Sequence, residues 1–170
     1  MWIIDFPPGT SEPDAARYEA PFAHIERWVK KDRADNSRKA YADRWWIHAE
    51  PRPEMRKALG GHTRYLATPR LTKFRLFVWL DAPVLPDSQI IVFARDDDYF
   101  FGVLQSRVHE VWALHMGTQL ESRPRYTPTT CFETFPLPWP PGNEQVDSPH
   151  YLAIAEAARQ WDLRWPEVHA

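Results

Sequence analysis

The sequence contains a single cysteine and no long apolar run. With Cys131 alone among 170 residues, neither an intrachain disulfide nor a cysteine-based zinc site can form within this chain. No apolar segment is long enough to span a bilayer. The amino terminus has no basic region and reaches Pro7 and Pro8 soon after a short apolar run, so we do not expect a signal peptide. Together these features predict a cytoplasmic protein.

The sequence motifs of several enzyme classes are also missing. There is no Gly-x-Gly-x-x-Gly loop and no phosphate-binding Gly-Lys-Ser/Thr loop. His109 and Glu110 begin like a zinc-protease helix, but the second histidine is absent. None of the lysines has an acid two positions before it, which argues against magnesium nucleases that use an Asp/Glu-x-Lys pattern. The acids at 96–98 are interpreted as a helix start. We therefore assign no catalytic, cofactor-binding or metal-binding residue.

The chain is rich in proline and tryptophan, with 17 and 9 residues, and its charge is unevenly distributed. Between Arg27 and Arg75 there are 14 basic and 5 acidic residues, a local balance of +9. The remainder has 7 basic and 18 acidic residues, a balance of −11. This split is typical of a surface that binds a polyanion on an otherwise acidic protein. A mixed-charge helical surface would give the same composition, so charge alone leaves both alternatives open.

Apolar periodicity and turn residues divide the chain into a helical first part and a mixed second part. A short strand is predicted at 2–6. Three helices follow, the first capped by Ser11 and the third stopped by Gly60 and Gly61: 13–31, with a bend at Pro21, 36–46 and 53–59. Three segments rich in aromatic and β-branched residues predict strands of a small sheet: 63–68, 74–80 and 89–94.

The last third of the chain is predicted to contain two helices separated by a rigid segment. The acids at 96–98 and Gly117 bound one long helix at 97–116. Prolines between 124 and 141 exclude a long helix there and indicate an extended brace at 132–139. A final helix is predicted at 149–164. The fold class is therefore α+β, with N-terminal helices, a small mostly antiparallel sheet, a long central helix, a proline-rich brace and a C-terminal helix.

Several separated motifs, in order along the chain, resemble one protein family. Residues 101–109, Phe-Gly-Val-Leu-Gln-Ser-Arg-Val-His, and then Trp112 resemble a conserved helix of the MmeI-like DNA adenine methyltransferases, which include type IIL restriction–modification enzymes. Arg-Tyr-Thr at 125–127 and Cys-Phe-Glu-Thr-Phe-Pro-Leu-Pro at 131–138 follow at the expected distance. The segments 2–6, 18–22, 45–46 and 64–70 resemble earlier parts of the same family. The resemblance covers about residues 1–138.

The family methylates the N6 atom of adenine with S-adenosylmethionine, and some members also cut DNA. Those activities need an Asn-Pro-Pro-Tyr/Phe motif, but neither Pro7-Pro8 nor Pro140-Pro141 follows an asparagine. The resemblance therefore implies a DNA-binding target-recognition part without its catalytic core. Its partners would be duplex DNA and a methyltransferase core, and S-adenosylmethionine would serve the full-length enzyme only. The implied regions are a helical linker at 1–60, a target-recognition region at 61–139, and a linker with C-terminal helix at 140–170.

Five basic residues in the strands and loops at 62–75 are the candidate DNA-binding residues: His62, Arg64, Arg70, Lys73 and Arg75. Contact with phosphates or guanine edges is the functional interpretation, because the family context agrees with it. Exposed solubilising charge is the alternative, and for His62 a simple turn after Gly61 is equally consistent. Gln105 and His109 are interpreted as a satisfied hydrogen-bond pair beneath the sheet, with polar groups that face DNA as the alternative. Trp45 and Trp46 are interpreted as core residues, with stacking on a flipped base as the alternative.

Two rival functions stay open at this point. The aromatic and apolar surfaces could dock a partner subunit, which would make the chain a protein-interaction module that never touches DNA. Alternatively, the chain could be an inactive remnant of a truncated methyltransferase, with a fold but no activity. DNA binding through several phosphates is strongly weakened by salt, whereas apolar docking is not, so the salt response separates the first rival from the DNA-binding hypothesis.

Overall fold

The computed structural model describes residues 3–120 and 123–168, and the chain divides into two compact units, Met1–Ala58 and Leu59–Ala170. Trp2, the first residue of the predicted N-terminal strand, lies outside the described residues. Within the described ranges, no helix is both long and apolar enough to cross a membrane. Each unit has its own apolar core, so the two are described separately.

The first unit is helical, as predicted, although its boundaries differ. Its helices are α1 (Glu12–Ala16), α2 (Glu19–Ala34), α3 (Lys39–Asp43) and α4 (Pro53–Leu59), the last of which ends at the unit boundary. The prediction of a single helix at 13–31 is wrong, because the helical conformation is interrupted between Ala16 and Glu19. Pro21 explains the break: it lies in the first turn of α2, where a missing N–H is tolerated. Residues 3–6 form no strand.

Aromatic side chains fill the core of the first unit. Phe6, Ile25 and Trp45 are buried together there. The guanidinium of Arg33 donates a hydrogen bond of 2.9 Å to the carbonyl of Trp45, and the indole of Trp46 donates one of 2.8 Å to the carbonyl of Thr10. The interpretation of the two tryptophans as core residues is therefore confirmed for Trp45, and Trp46 packs against the same cluster.

The second unit is built on an antiparallel sheet with strand order β2-β1-β3. The strands are β1 (Arg64–Pro69), β2 (Val78–Asp81) and β3 (Ile90–Phe93), all within the predicted segments or one residue of them. β1 is central and almost fully buried, and its Leu66 lies opposite Trp79 on β2 and Phe93 on β3. The prediction of an α+β fold with a small antiparallel sheet is confirmed.

The long central helix predicted at 97–116 is instead two helices, α5 (Asp98–Gln105) and α6 (Arg107–Met116). Ser106 separates them with an extended backbone, at φ −66° and ψ 151°. Its hydroxyl accepts a hydrogen bond from the amide of His109 and donates one to the carbonyl of Val103. Because the serine hydroxyl bonds to nearby backbone groups, it competes with the backbone hydrogen bonds of a continuous helix. Ser106 therefore ends α5 and caps α6.

The remainder of the second unit contains a hairpin that the sequence analysis missed. It is formed by β4 (Thr118–Leu120) and β5 (Arg123–Arg125), and a π-helical turn at Pro128–Phe132 follows it. The proline-rich segment after this turn packs Phe135 and Leu137 into the core, as expected for a brace. The helix α7 (Pro149–Val168) then lies on α5 at Gly102, where a Cβ atom would be only 2.9 Å from Ile154.

Candidate nucleic-acid interface

The strand β1 places the predicted DNA-binding residues at opposite ends of the sheet. Arg64 begins β1 and pairs with Asp81, whereas Pro69 ends the strand and leads into Arg70. Because a strand rises about 3.3 Å per residue, the two ends are separated by roughly 17 Å. His62 and Arg64 therefore lie at one end, and the loop with Arg70, Lys73 and Arg75 lies at the other.

The end with His62 and Arg64 is balanced by acidic residues, and we call it the balanced end. The ring of His62 lies 3.0 Å from the carboxylate of Asp96, and the guanidinium of Arg64 lies 2.7 Å from that of Asp98. The hydrogen bond from His62 lowers the pKa of Asp96 below its ordinary value. Arg64 also stacks over Trp79, with 3.8 Å between its Cζ atom and the ring centroid. Both predicted cations are thus held by neighbours within the protein.

At the other end, the β1–β2 loop (residues 70–77) is hydrogen-bonded to the β4–β5 hairpin. The carbonyl of Arg70 accepts a hydrogen bond of 2.8 Å from the amide of Tyr126, and the amide of Thr72 donates one of 3.3 Å to the carbonyl of Pro124. Leu71 and Arg125 form an isolated β-bridge between them. These bonds bring the hairpin's two arginines to the same end of the sheet as the loop.

We call this end the cationic end, and define it by Arg70, Lys73, Arg123 and Arg125. The side chains of Lys73, Arg123 and Arg125 are exposed, and that of Arg70 is half-buried. Within residues 3–120 and 123–168, no carboxylate forms an ion pair with Arg70, Lys73 or Arg125. Positive charge therefore accumulates here, in contrast to the balanced end, and can attract a polyanion.

Arg75 has a different position from the other loop cations, because it points into the protein. Its guanidinium donates hydrogen bonds to the hydroxyl of Thr68 at 3.1 Å, to the carbonyl of Pro69, and to the carbonyl of Pro124 at 3.3 Å. It also lies over the ring of Tyr126, 5.0 Å from the centroid, and burial lowers its pKa. The Arg75 side chain therefore connects the β1–β2 loop to the hairpin through partly buried hydrogen bonds.

A buried Tyr126–His109 pair continues this support into the helical layer. The Nδ1 atom of His109 lies 2.8 Å from the carbonyl of Leu104, and its Nε2 atom lies 3.1 Å from the hydroxyl of Tyr126. Since a carbonyl only accepts, Nδ1 must donate, and the neutral ring then accepts the tyrosine proton at Nε2. Burial lowers the pKa of His109 and raises that of Tyr126, which keeps both groups neutral.

Gln105 and His109 both have hydrogen-bond partners beneath the sheet, as expected, but they do not bond to each other. The side-chain oxygen of Gln105 accepts a hydrogen bond of 2.9 Å from the amide of Phe77. Gly117, after α6, allows the hairpin to approach closely, since a Cβ there would lie 2.6 Å from the carbonyl of Ala113 and 2.8 Å from that of Arg125. Gln105 thus holds the β1–β2 loop, and Gly117 leaves room for the hairpin strand β5.

Sequence reasoning did not select Arg123 and Arg125 as candidate DNA-binding residues. The sequence signal near them is the Arg-Tyr-Thr motif at 125–127, which by itself indicates only the family resemblance. The missing information was spatial, because the bridge joins residues 54 positions apart along the chain, Leu71 and Arg125. Among the described residues, no cluster of three or more histidine, cysteine or acidic side chains could hold a metal ion.

Two comparisons with known proteins match most of the chain. The family model described as "MmeI, target recognition domain" matches residues 14–139. A solved structure of the type IIL restriction–modification enzyme MmeI in complex with DNA superposes with a TM-score of 0.64 and 25% sequence identity. The match covers 89% of this chain but 19% of that one, so the chain spans about a fifth of the matched enzyme's length.

No curated protein matches the chain. The family model, however, spans both the β1–β2 loop and the β4–β5 hairpin, and so includes the whole cationic end. Its match covers well over half of the 170 residues. The chain therefore belongs to the family of MmeI target recognition domains.

Proposed function

We propose that this chain is the DNA-binding, target-recognition part of a site-specific DNA adenine methyltransferase or restriction–modification enzyme. The observation that supports it most is the family match over residues 14–139, which includes every residue of the cationic end. The matched solved structure is of an enzyme in complex with DNA, which agrees with duplex DNA as the partner. A cytoplasmic location, where such DNA would be met, belongs to the same proposal.

In this proposal the cationic end grips the double helix. Arg70, Lys73, Arg123 and Arg125 would contact phosphate oxygens, and an arginine among them could also read a guanine edge with two hydrogen bonds. Arg75 would act as a positioning residue, because its donors are already occupied by Thr68, Pro69 and Pro124. For His62 and Arg64, DNA contact stays a prediction, and it would require them to leave Asp96 and Asp98.

Methyl transfer would be performed by a core outside these 170 residues, in the same polypeptide or in a separate chain. Neither Pro-Pro pair fits the adenine and cofactor site of such a core. Pro7 follows Phe6, whose side chain is buried in the first unit, and Pro140 follows Trp139, whose ring packs 5.7 Å from that of Tyr99. Neither preceding side chain offers a hydrogen-bond acceptor to the target amino group, because phenylalanine has no polar atom and the indole of tryptophan only donates. S-adenosylmethionine would therefore be held by the core alone.

Duplex binding as a function of salt tests the proposal. Fluorescence anisotropy of a labelled pool of random-sequence duplexes should show binding that weakens by orders of magnitude between about 50 and 200 mM salt. Lys73→Ala and Arg125→Ala should each lower the steepness of this salt dependence by about one unit, because each would remove one phosphate contact. Arg17→Ala is the matched control, since Arg17 is exposed in the first unit and lies 3.7 Å from Asp14.

The outcome that would overturn the proposal is a folded chain that binds no duplex at low salt. Circular dichroism on the same sample establishes whether the fold is intact. Equal salt dependence for Lys73→Ala, Arg125→Ala and the unmodified chain would remove the cationic end from the interface, even if DNA binds elsewhere. The two results therefore separate the function from the surface that we assign to it.

One observation favours the alternative of a protein-interaction module. The helix α6 exposes an apolar stripe at a spacing of three residues, formed by Val108, Val111 and Leu114. Val108 is 71% exposed, and neighbouring exposed apolar side chains of this kind can mark an interaction site. A stripe of this kind could contact another part of a larger enzyme. Docking through it would respond little to salt, so the same titration distinguishes the two functions.

A further inference from the structure

Phe74 lies near the tip of the β1–β2 loop and is exposed, although most aromatic rings of the second unit are buried. Its side chain is 67% accessible, the highest value for any aromatic residue that the structure describes. Its neighbours along the chain behave differently: Phe77 is 1% exposed and belongs to the core. An exposed ring of this size loses the stabilisation that burial would give, so its position favours a role in contact with a partner.

Hydrogen bonds hold the loop backbone at Phe74 in a defined conformation. The hydroxyl of Thr72 donates a hydrogen bond of 3.0 Å to the carbonyl of Phe74, and this bond stabilises the turn at the tip of the loop. The amide of Thr72 bonds to Pro124 on the hairpin, and Arg75 fastens the next position to Pro69 and Pro124. A loop backbone fixed in this way needs little further ordering when the ring meets a partner.

The surroundings of the ring indicate the chemistry of that partner. The ammonium of Lys73 lies 5.2 Å from the centroid of the Phe74 ring, and Arg70 and Arg125 belong to the same loop and to the strand bridged to it. A ring flanked by cations without carboxylate partners is poorly suited to an ordinary apolar protein surface. It is well suited to nucleic acid, where the cations meet phosphates and the ring meets the faces of bases.

We propose that Phe74 inserts between neighbouring base pairs of the bound duplex. The inference rests on the proposed DNA-binding function and adds a mode of contact to it. Apolar side chains that enter a duplex partly unstack one base step and kink the helix, and the cost is recovered through closer contact with flanking cations. In an adenine methyltransferase, a ring at this place would also lower the cost of moving a base out of the stack.

The test compares two labelled 20-base-pair duplexes of the same sequence, one intact and one with a single abasic position at its centre. At the abasic position the base is already missing, so inserting a ring there requires less unstacking. If Phe74 inserts, the chain should bind the abasic duplex about tenfold more tightly than the intact one. Phe74→Ala should reduce this preference to about twofold or less, and Phe74→Trp should retain it because the larger ring can still stack. Anisotropy titrations measure the two dissociation constants.

Val84→Ala is the matched control, because Val84 is also an exposed apolar residue but follows β2 at the balanced end of the sheet. It should keep the preference of the unmodified chain. Equal affinity for the intact and abasic duplexes, or an unchanged preference for the abasic duplex in Phe74→Ala, would overturn the proposal that Phe74 inserts. Phe74 would then be assigned to a protein contact. Absence of binding to either duplex would instead overturn the proposed function itself, so the two failures are distinguishable.

Discussion

The two ends of the sheet in the second unit differ in what surrounds their cations. At the balanced end, Arg64 lies 2.7 Å from Asp98 and His62 lies 3.0 Å from Asp96. At the cationic end, Lys73 and Arg125 have no ion-pair partner in the part of the chain that the structure describes. The same strand connects both ends, and the local sequences look equally basic. The comparison teaches that residues far away in the sequence decide whether a basic side chain is free to bind a partner.

The largest expected difference between the ends is in stability, and it concerns Arg75 and Arg64. Arg75→Met should lower the free energy of unfolding by about 3 kcal/mol, because it removes a part-buried donor from the hydroxyl of Thr68 and from the carbonyl of Pro69, and one of two donors from the carbonyl of Pro124. Arg64→Met should lower it by about 1 kcal/mol or less, since its ion pair with Asp98 is partly exposed to solvent. Urea unfolding measures both, and equal losses would contradict this distinction.

The next effect is on DNA affinity. The double variant Lys73→Ala with Arg125→Ala should bind a duplex pool roughly tenfold to a hundredfold more weakly at about 100 mM salt, because two phosphate contacts are lost. The double variant His62→Ala with Arg64→Ala should change affinity by about threefold or less, since both side chains are engaged by Asp96 and Asp98. A larger loss for the second pair would reverse the assignment of the two ends.

The smallest effect is a pH dependence beneath the cationic end. Burial lowers the pKa of His109 in the folded chain, so below about pH 6.5 the unfolded chain binds a proton that the folded chain rejects. The contribution of neutral His109 to the free energy of unfolding should therefore be fully present above that pH. It should fall as the pH drops, by about 1 kcal/mol at pH 5.5. Urea unfolding at pH 7.5 and pH 5.5 measures the difference.

His109→Gln should flatten this pH dependence, because glutamine does not titrate. The matched control is His150→Gln, which replaces an exposed histidine near the start of α7 and should leave the dependence unchanged. If His109→Gln lost as much stability on acidification as the unmodified chain, the neutral, buried ring between Leu104 and Tyr126 would not be the source of the acid sensitivity.

The parts of the fold that could be predicted are those with a local cause. The strands β1, β2 and β3 follow from runs of aromatic and β-branched residues, and α4 ends as expected before Gly60 and Gly61. The break at Ser106 could not be predicted from apolar periodicity, because the apolar positions continue on both sides of it. Only the hydroxyl bonds to Val103 and His109 separate α5 from α6.

The candidate site could be predicted in part. Short motifs indicate the family, and the match over residues 14–139 confirms it. The division of the cations could not be foreseen, because Arg64 and its partner Asp98 are 34 positions apart, and Arg75 and Pro124 are 49 apart. The hairpin strands β4 and β5 have three residues each, too few for a periodic pattern.

Hydrogen exchange with and without saturating duplex DNA tests the central claim, that the cationic end is the DNA-binding surface. Bound DNA should slow amide exchange in the β1–β2 loop, at 70–77, and in the hairpin strands and the residue after them, at 118–120 and 123–126. Exchange at 95–98, which lies at the balanced end, should not change. Protection confined to 95–98 or to α6, with none at 70–77, would contradict the account.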